Sequence, residues 1–414
     1  MRHLRTERYL TAIPMKNGAG DRDVVFLSAV RTPFGTFGGA LKDVPAIDLA
    51  VHSSKAAIER AGISADDIDQ TVFGNVLYTS SDSIYFSRHV ALKSGCRIES
   101  PALTVNRLCG SGFQAVVSGA AEILLGRAEV CLVGGADSMS QAPHIARGLR
   151  WGVKLGQAPT LDDLLWESLR DSYCDLAMGE TAEKLAVQYH LDRKHVDEFA
   201  LRSQTLARDA WESGAFRDEV VGIPVQARGK AASFERDEHM RPETTAEVLA
   251  KLKPVFKSDG VVTAGNASGI GDGAGSLIIA SAKYAREKGL QPIGRLVGWG
   301  IAGVDPSVMG IGPVPAIRNA LADAGMTLDE MDLIEVNEAF AAQACAVEKE
   351  LNIPREKFNL SGGAIALSHP LAASGARITA HLLHGLRSSG KRFGLGSACI
   401  GGGQGIALVL ESMH

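Results

Sequence analysis

Ala61-Gly62-Ile63-Ser64-Ala65-Asp66-Asp67-Ile68-Asp69 and, 263 residues further on, Ala324-Gly325-Met326-Thr327-Leu328-Asp329-Glu330-Met331-Asp332 are two copies of one stretch. In each, an alanine-glycine pair closes an apolar-periodic segment, a hydroxyl residue follows, and two acidic residues precede an apolar residue and an aspartate. Helix end, turn and strand start recur in the same order. Carried forward without a gap, the offset lays Leu108-Cys109-Gly110-Ser111-Gly112 on Leu371-Ala372-Ala373-Ser374-Gly375, and Ala136 on Cys399. A register kept over that distance reads as a duplication: two copies of one α/β unit, each supplying different reactive residues.

Within each copy, short β-branched runs such as Asp23–Leu27, Ala128–Val133 and Gly405–Leu410 read as buried strands. Small-residue segments Phe113–Leu125 and Ser374–Leu386 read as helices between them. This alternation predicts mostly parallel sheets covered by helices. From 142 to 268 the character changes: three of the four tryptophans, charged helices Thr181–Tyr189 and Arg193–Trp211, and proline-containing loops. The predicted organisation is an extension over 1–22, a first half over 23–141 and 269–293, a domain inserted at 142–268 over the site, and a second half over 294–414.

Composition narrows the class. A chain of 414 residues, 45% hydrophobic and 22% charged, can bury substantial cores. Its formal net charge of −4 argues against a nucleic-acid surface, which needs a concentrated basic face. Six scattered cysteines without a C-x-x-C pair suggest free thiols, with neither a metal site nor a disulfide framework. No apolar run is long enough to cross a bilayer. Residues 1–22 contain Arg2, Arg5, Arg8 and Lys16 but no serine, and read as an extension of a cytoplasmic protein, with a mitochondrial-matrix presequence as the alternative.

Two cysteines lie in glycine-punctuated turns. Cys109 follows Thr104-Val105 and precedes Gly110-Ser111-Gly112, which places it at a helix N-terminus, where the dipole is expected to lower its pKa. Cys399 opens Cys399-Ile400-Gly401-Gly402-Gly403-Gln404-Gly405, where bare backbone can bring N–H donors to a thioester oxygen. Cys96, Cys131, Cys174 and Cys345 lack that setting and read as structural. His369 enters a turn fixed by Pro370 and lies, by the duplication, on Asn106, three residues before Cys109; an imidazole there could take a proton from a thiol. Asn337, at a strand end in Glu335-Val336-Asn337-Glu338, could hold a water or donor for an oxyanion, or could simply start a helix.

Together, Leu108–Gly112, Val336–Phe340, Gly362–Pro370 and Cys399–Gly405 resemble the four signature blocks of the thiolase family, in order, within a similarity running from Val24 to the C-terminus. Gly135–Ser140 and Thr263–Gly269 match further family segments. Within that family the chain looks most like the mitochondrial-type 3-ketoacyl-CoA thiolases. The resemblance implies duplicated α/β halves in a layered αβαβα core under a loop domain. It also implies CoA-dependent cleavage of 3-ketoacyl-CoA by a ping-pong route, with the acyl group held on Cys109 as a thioester. His369 would activate Cys109, Cys399 would exchange the C2 proton, and His369 with an Asn337-bound water would hold the enolate oxygen. The N–H groups of Cys109 and Gly401 would hold the acyl oxygen. CoA, a co-substrate with no permanent cofactor beside it, would contact Arg241, Thr244 and Ser268, with Phe340 along the pantetheine path. A homodimer or homotetramer is implied as well.

The chain departs from the family pattern at Ser368 and Ala372, where glycine is usual. If either has φ > 0 the side chain adds strain, whereas Ala372 is harmless at a helix start. Ala177, where acetoacetyl-CoA-forming relatives often have histidine, favours a degradative enzyme taking longer chains. The competing readings are an acetoacetyl-CoA-forming acetyltransferase, a ketoacyl synthase, which pairs one cysteine with two histidines, and an acyl-CoA-binding protein without turnover.

Overall fold

The structure is a computed structural model and describes residues 20–227 and 230–413. The extension assigned to 1–22 therefore falls almost wholly outside the described residues.

The two copied stretches fold alike for local reasons. Helices Ala46–Ala61 and Pro313–Ala324 stop at glycines in the left-handed region, Gly62 (φ 68°) and Gly325 (φ 64°), where any side chain would be strained. A short 3-10 turn follows in each, closed by a capping box between Ser64 and Asp67 or between Thr327 and Glu330. Strands Gln70–Gly74 and Leu333–Val336 come next.

Strand order repeats as well. From its edge inward, the first half runs Ala102–Val105, Gln70–Gly74, Val130–Ser138, Gly271–Ser281, Val24–Arg31. The second runs Leu333–Val336, Phe393–Ile400, Gln404–Ser412, Gly294–Gly303. Val25 and Phe26 pair with Arg295 and Gly294, joining the halves into one ten-stranded sheet. Beside Leu333–Val336, the place of the first half's edge strand is held only by Phe358, in a single parallel bridge to Ile334.

The expectation of mostly parallel sheets does not hold. Between strands of the large sheet, parallel pairing is confined to Gln70–Gly74 with its two neighbours and Leu333–Val336 with Phe393–Ile400; the other strand pairs are antiparallel. The reason is the last connection of each half. Phe393–Ile400 turns straight back through Gly401–Gly403 into Gln404–Ser412, and a hairpin is antiparallel by necessity. Val130–Ser138 and Gly271–Ser281 pair the same way, with residues 139–270 in place of the glycine turn.

Side chains alternate between layers. Leu277 and Ile279 face the central helices Ser111–Leu124 and Leu371–Ser389, while Ile278 and Ala280 join Leu49 and Ile58 of the outer helix Ala46–Ala61. In the second half Ile406, Leu408 and Leu410 point inward, and Ala407 and Val409 point outward to Ile317 of Pro313–Ala324. The result is an α–β–α–β–α stack. Its two central helices touch at Gly112 and Gly375, which are offset equivalents. A Cβ on Gly112 would lie 2.6 Å from Ala372 O, and one on Gly375 2.3 Å from Phe113 N. That contact sets the N-termini of both central helices side by side. Among the described residues no helix is long and apolar enough to cross a membrane.

Candidate active site

Cys109 lies in the 3-10 turn Leu108–Gly110 that leads into the first central helix, with Leu108 at φ 46°. Its side chain packs beside Leu77, Met139, Leu165 and Leu371. The expected lowering of its pKa is not found: burial pushes the thiol up to about 11, against the opposing pull of the Gly401 and Cys109 N–H groups and with a further upward push from Asp137. The helix end is real, but the protein around the sulfur outweighs it. The two amides that address the sulfur are the pair that the family resemblance implies for the acyl oxygen.

Cys399 lies fully buried in Phe393–Ile400, beside Met309, Ala339, Met178 and Phe340. Burial, and then the charge of Cys109, push its thiol above the ordinary range. Glycine matters in the Cys109 turn that it meets. Gly110 faces Ile400 at a distance where a Cβ would meet Ile400 Cδ1 at 2.5 Å, so the two cysteine-bearing turns close on each other.

His369 follows the short helix Ala364–Leu367 and is buried at the start of the second central helix. Its Nδ1 is 2.6 Å from Ser374 Oγ, five residues on. Asn337 Nδ2 lies 3.4 Å from Nε2 and 3.5 Å from Nδ1, and Asn337 Oδ1 is buried without a protein partner. Burial, reinforced by the Arg377 charge, holds the imidazole down to about 4, so at neutral pH it is uncharged and has a lone pair to offer. Asn337 is fixed through its N–H to Ser397 O at 2.9 Å, two residues before Cys399.

The site residues therefore form two contact groups, Cys109–Gly401–Cys399 and His369–Asn337–Ser374; His369 lines a cavity of about 230 Å³ whose wall also holds Met139 and Leu371, neighbours of Cys109, and Met178 and Phe340, neighbours of Cys399. His369, Phe340, Met178, Ser268 and Leu371 line it. Arg241 and Thr244 line a second cavity of about 640 Å³, and Ala264 belongs to both walls. Ser268 and Phe340 thus sit in the inner chamber, Arg241 and Thr244 in the outer one. His239, in the outer wall, is held down to about 4 by burial and by Arg241.

Three residues escaped the sequence reading. Ser374 was visible only as the copy of Ser111, which does matching work by accepting the Arg107 N–H and donating to Leu108 O. Asp137 accepts from Asn75 Nδ2, Val76 N, Leu77 N and Ala372 N, so it fastens the second central helix to the first half. Glu338 accepts from Ser203, Asn359 and Ile365 N and holds the helix before His369. Of the two departures from pattern, Ser368 has φ 86° and Ala372 lies in the first turn of Leu371–Ser389.

Comparison with known proteins decides the family. Residues 24–283 match the thiolase N-terminal domain and residues 290–412 the thiolase C-terminal domain. The chain belongs to the thiolase family. It is 52% identical to the human mitochondrial 3-ketoacyl-CoA thiolase over 94% of this chain and 98% of that one, and 47% identical to Beta-ketothiolase BktB of Cupriavidus necator over 94% and 99%. The crystal structure of the human mitochondrial 3-ketoacyl-CoA thiolase superposes with a TM-score of 0.94, covering 95% of this thiolase and all of that chain. A second crystal structure of that human protein, in complex with CoA, superposes with a TM-score of 0.92 at 52% identity, covering 95% and 98% of the two chains. Thiolases so named are acyltransferases, and this chain is one of them by family.

Proposed function

We propose that this thiolase cleaves 3-ketoacyl-CoA with a second CoA, giving acetyl-CoA and an acyl-CoA shortened by that unit. The observation that supports it best is that the cavity lined by His369 is walled by Met139 and Leu371, which pack with Cys109, and by Met178 and Phe340, which pack with Cys399, while Cys109, the Gly401 amide and Cys399 are close neighbours. In the resting pocket the proton stays on Cys109, since the thiol is pushed up and the imidazole down. With Nδ1–H donated to Ser374, Nε2 of His369 carries the lone pair, met only by the long 3.4 Å approach of Asn337 Nδ2, and takes that proton as Cys109 attacks the 3-keto carbon. The C2–C3 bond breaks, and the enolate oxygen of the departing acetyl-CoA is held by His369 and a water on Asn337. Cys399 gives its proton to C2. The acyl group remains on Cys109 with its oxygen at the Cys109 and Gly401 N–H groups until the second CoA thiol, giving its proton to Cys399, attacks it and the departing Cys109 sulfur takes its proton back from His369.

Arg241 and Thr244 in the outer chamber suit the phosphates and nucleotide of CoA, and Ser268 and Phe340 in the inner chamber suit its pantetheine arm. A wall of Met139, Trp166, Leu169, Ala177 and Leu371 suits an alkyl chain, and the small Ala177 leaves it room. Cleavage of 3-ketoacyl-CoAs of graded chain length, followed by loss of the enolate absorbance, tests this reading. Turnover that improves beyond the four-carbon substrate is expected, and no turnover at any length would end it.

The inserted segment 142–268 serves as a roof over the two repeated halves, 23–141 with 269–293 and 294–414. A homodimer through the unpaired edge strand Ala102–Val105 is supported by exposed Leu103, Ile84, Tyr85 and Ile98 beside it. A tetramer would use the exposed Trp151 and Leu155 of the insertion. Sedimentation distinguishes the two. For the compartment, the human relative's name, which prints mitochondrial, supports the mitochondrion over the cytoplasm, and a reporter fused to residues 1–22 reads it directly.

A further inference from the structure

Ser368 occupies a backbone conformation that glycine alone adopts freely. Its φ is 86° and its ψ 165°, it is buried, and the next residue is His369. Three bonds hold it. Its N–H donates to Ala364 O at 2.9 Å, its hydroxyl donates to Gly269 O at 3.1 Å, and the same carbonyl accepts the His369 N–H at 2.9 Å. The side chain fits a notch that exists because residue 271 is glycine: a Cβ there would lie 2.1 Å from Ser368 Oγ and 2.4 Å from Gly35 O. One carbonyl therefore pins both the strained residue and the imidazole-bearing residue to the loop Ala267–Ile270.

That loop is a wall of the site. Ser268 and Gly269 line the inner cavity, and the Ser268 N–H bonds Ala339 O at 3.0 Å. Gly269 also backs onto the ring of His239, which belongs to the outer cavity. The Ser368 hydroxyl is thus the only side-chain group among the described residues that ties the turn carrying His369 to the wall where CoA would lie.

We propose that Ser368 is a positioning residue: its bond to Gly269 O holds a strained turn in place and so keeps the His369 ring in register with Ser374, Asn337 and the substrate wall. This rests on His369 being the base for Cys109. The chemistry separates tether from strain. Glycine adopts φ 86° without strain and needs no tether, whereas alanine keeps the strain and lacks the bond.

The test compares wild type with S368A, S368G and H369A by thermal melting, steady-state cleavage and the rate at which Cys109 is alkylated by iodoacetamide. Expected is a folded S368A that loses kcat about tenfold or more, since small displacements of reacting groups are costly. Its KM should change less, and its alkylation should be slowed. S368G should recover most of that kcat. S368A at wild-type kcat while folded, or S368A and S368G losing kcat equally, overturns the proposal. Should S368A not fold, the near-isosteric S368C, a weak donor, takes its place on kcat with the same expectation. H369A alkylated as fast as wild type would instead remove the base assignment beneath it.

Discussion

The N-termini of the two central helices are copies of one another and do opposite work. At the first, Cys109 meets the Gly401 N–H that comes from the end of a strand in the second half. At the second, Ala372 occupies the cysteine's position and its N–H is taken at 2.8 Å by the carboxylate of Asp137, from the end of the equivalent strand in the first half. One crossing point thus keeps an ionisable sulfur with a donor facing it, and the other is sealed by an acceptor. Duplication supplies the frame, and the exchange of one backbone N–H for one carboxylate decides which copy can stabilise a forming anion.

The largest expected effect breaks the symmetry outright. Cys109→Ala should reduce cleavage by about 10⁴-fold or more, since the covalent route is lost. Adding Ala372→Cys should restore nothing, because Asp137 faces the new thiol; activity returning in the double variant would refute the contrast. Gly112→Ala and Gly375→Ala should each destabilise the fold by about 3 kcal/mol or more, because the added carbon meets backbone that cannot yield. Equal losses in denaturant midpoint would confirm that the crossing is symmetric.

Next comes pH. Asp137 is pushed up to about 7 by burial and by Asp272, against its N–H donors, so between its unfolded value and 7 the native state binds the extra proton and stability from this group falls as pH rises. His369 has the opposite sign. Held down to about 4, it binds fewer protons folded than unfolded, and stability from it falls as pH drops from its unfolded value of about 6.5 toward 4. Asp137→Asn should cost about 1–3 kcal/mol, because an amide donor then faces the Ala372 N–H, and should flatten the stability profile between pH 4 and 7. The smallest effect belongs to Ala372→Gly, expected to lose roughly 0.5–1 kcal/mol in the first helical turn and to leave cleavage intact.

The frame was legible in the sequence because its signals are local. A glycine that must be left-handed, a capping box and an alternating strand each announce themselves within a few residues, and the second copy repeats them. Cys109, Cys399 and His369 stood out as candidates for the same reason, in turns that only glycine or proline explains. What sequence could not show depends on neighbours from the other half. The Cys109 thiol is raised because protein closes over it, Ser374 matters because His369 folds back onto its helix, and Asp137 is buried against amides 60 and 61 residues away on one side and in the other half on the other. Strand direction was misjudged for a related reason: residues 139–270 hide the hairpin that Gly401–Gly403 makes plain in the second copy.

Intact mass spectrometry of the protein mixed with 3-ketoacyl-CoA, free CoA being removed, tests most directly whether the two halves build one acyl-transfer pocket. A single acyl adduct on Cys109 is expected, lost in Cys109→Ala and still formed from an acyl-CoA donor in Cys399→Ser. An adduct on any other residue, or one that survives Cys109→Ala, would contradict it.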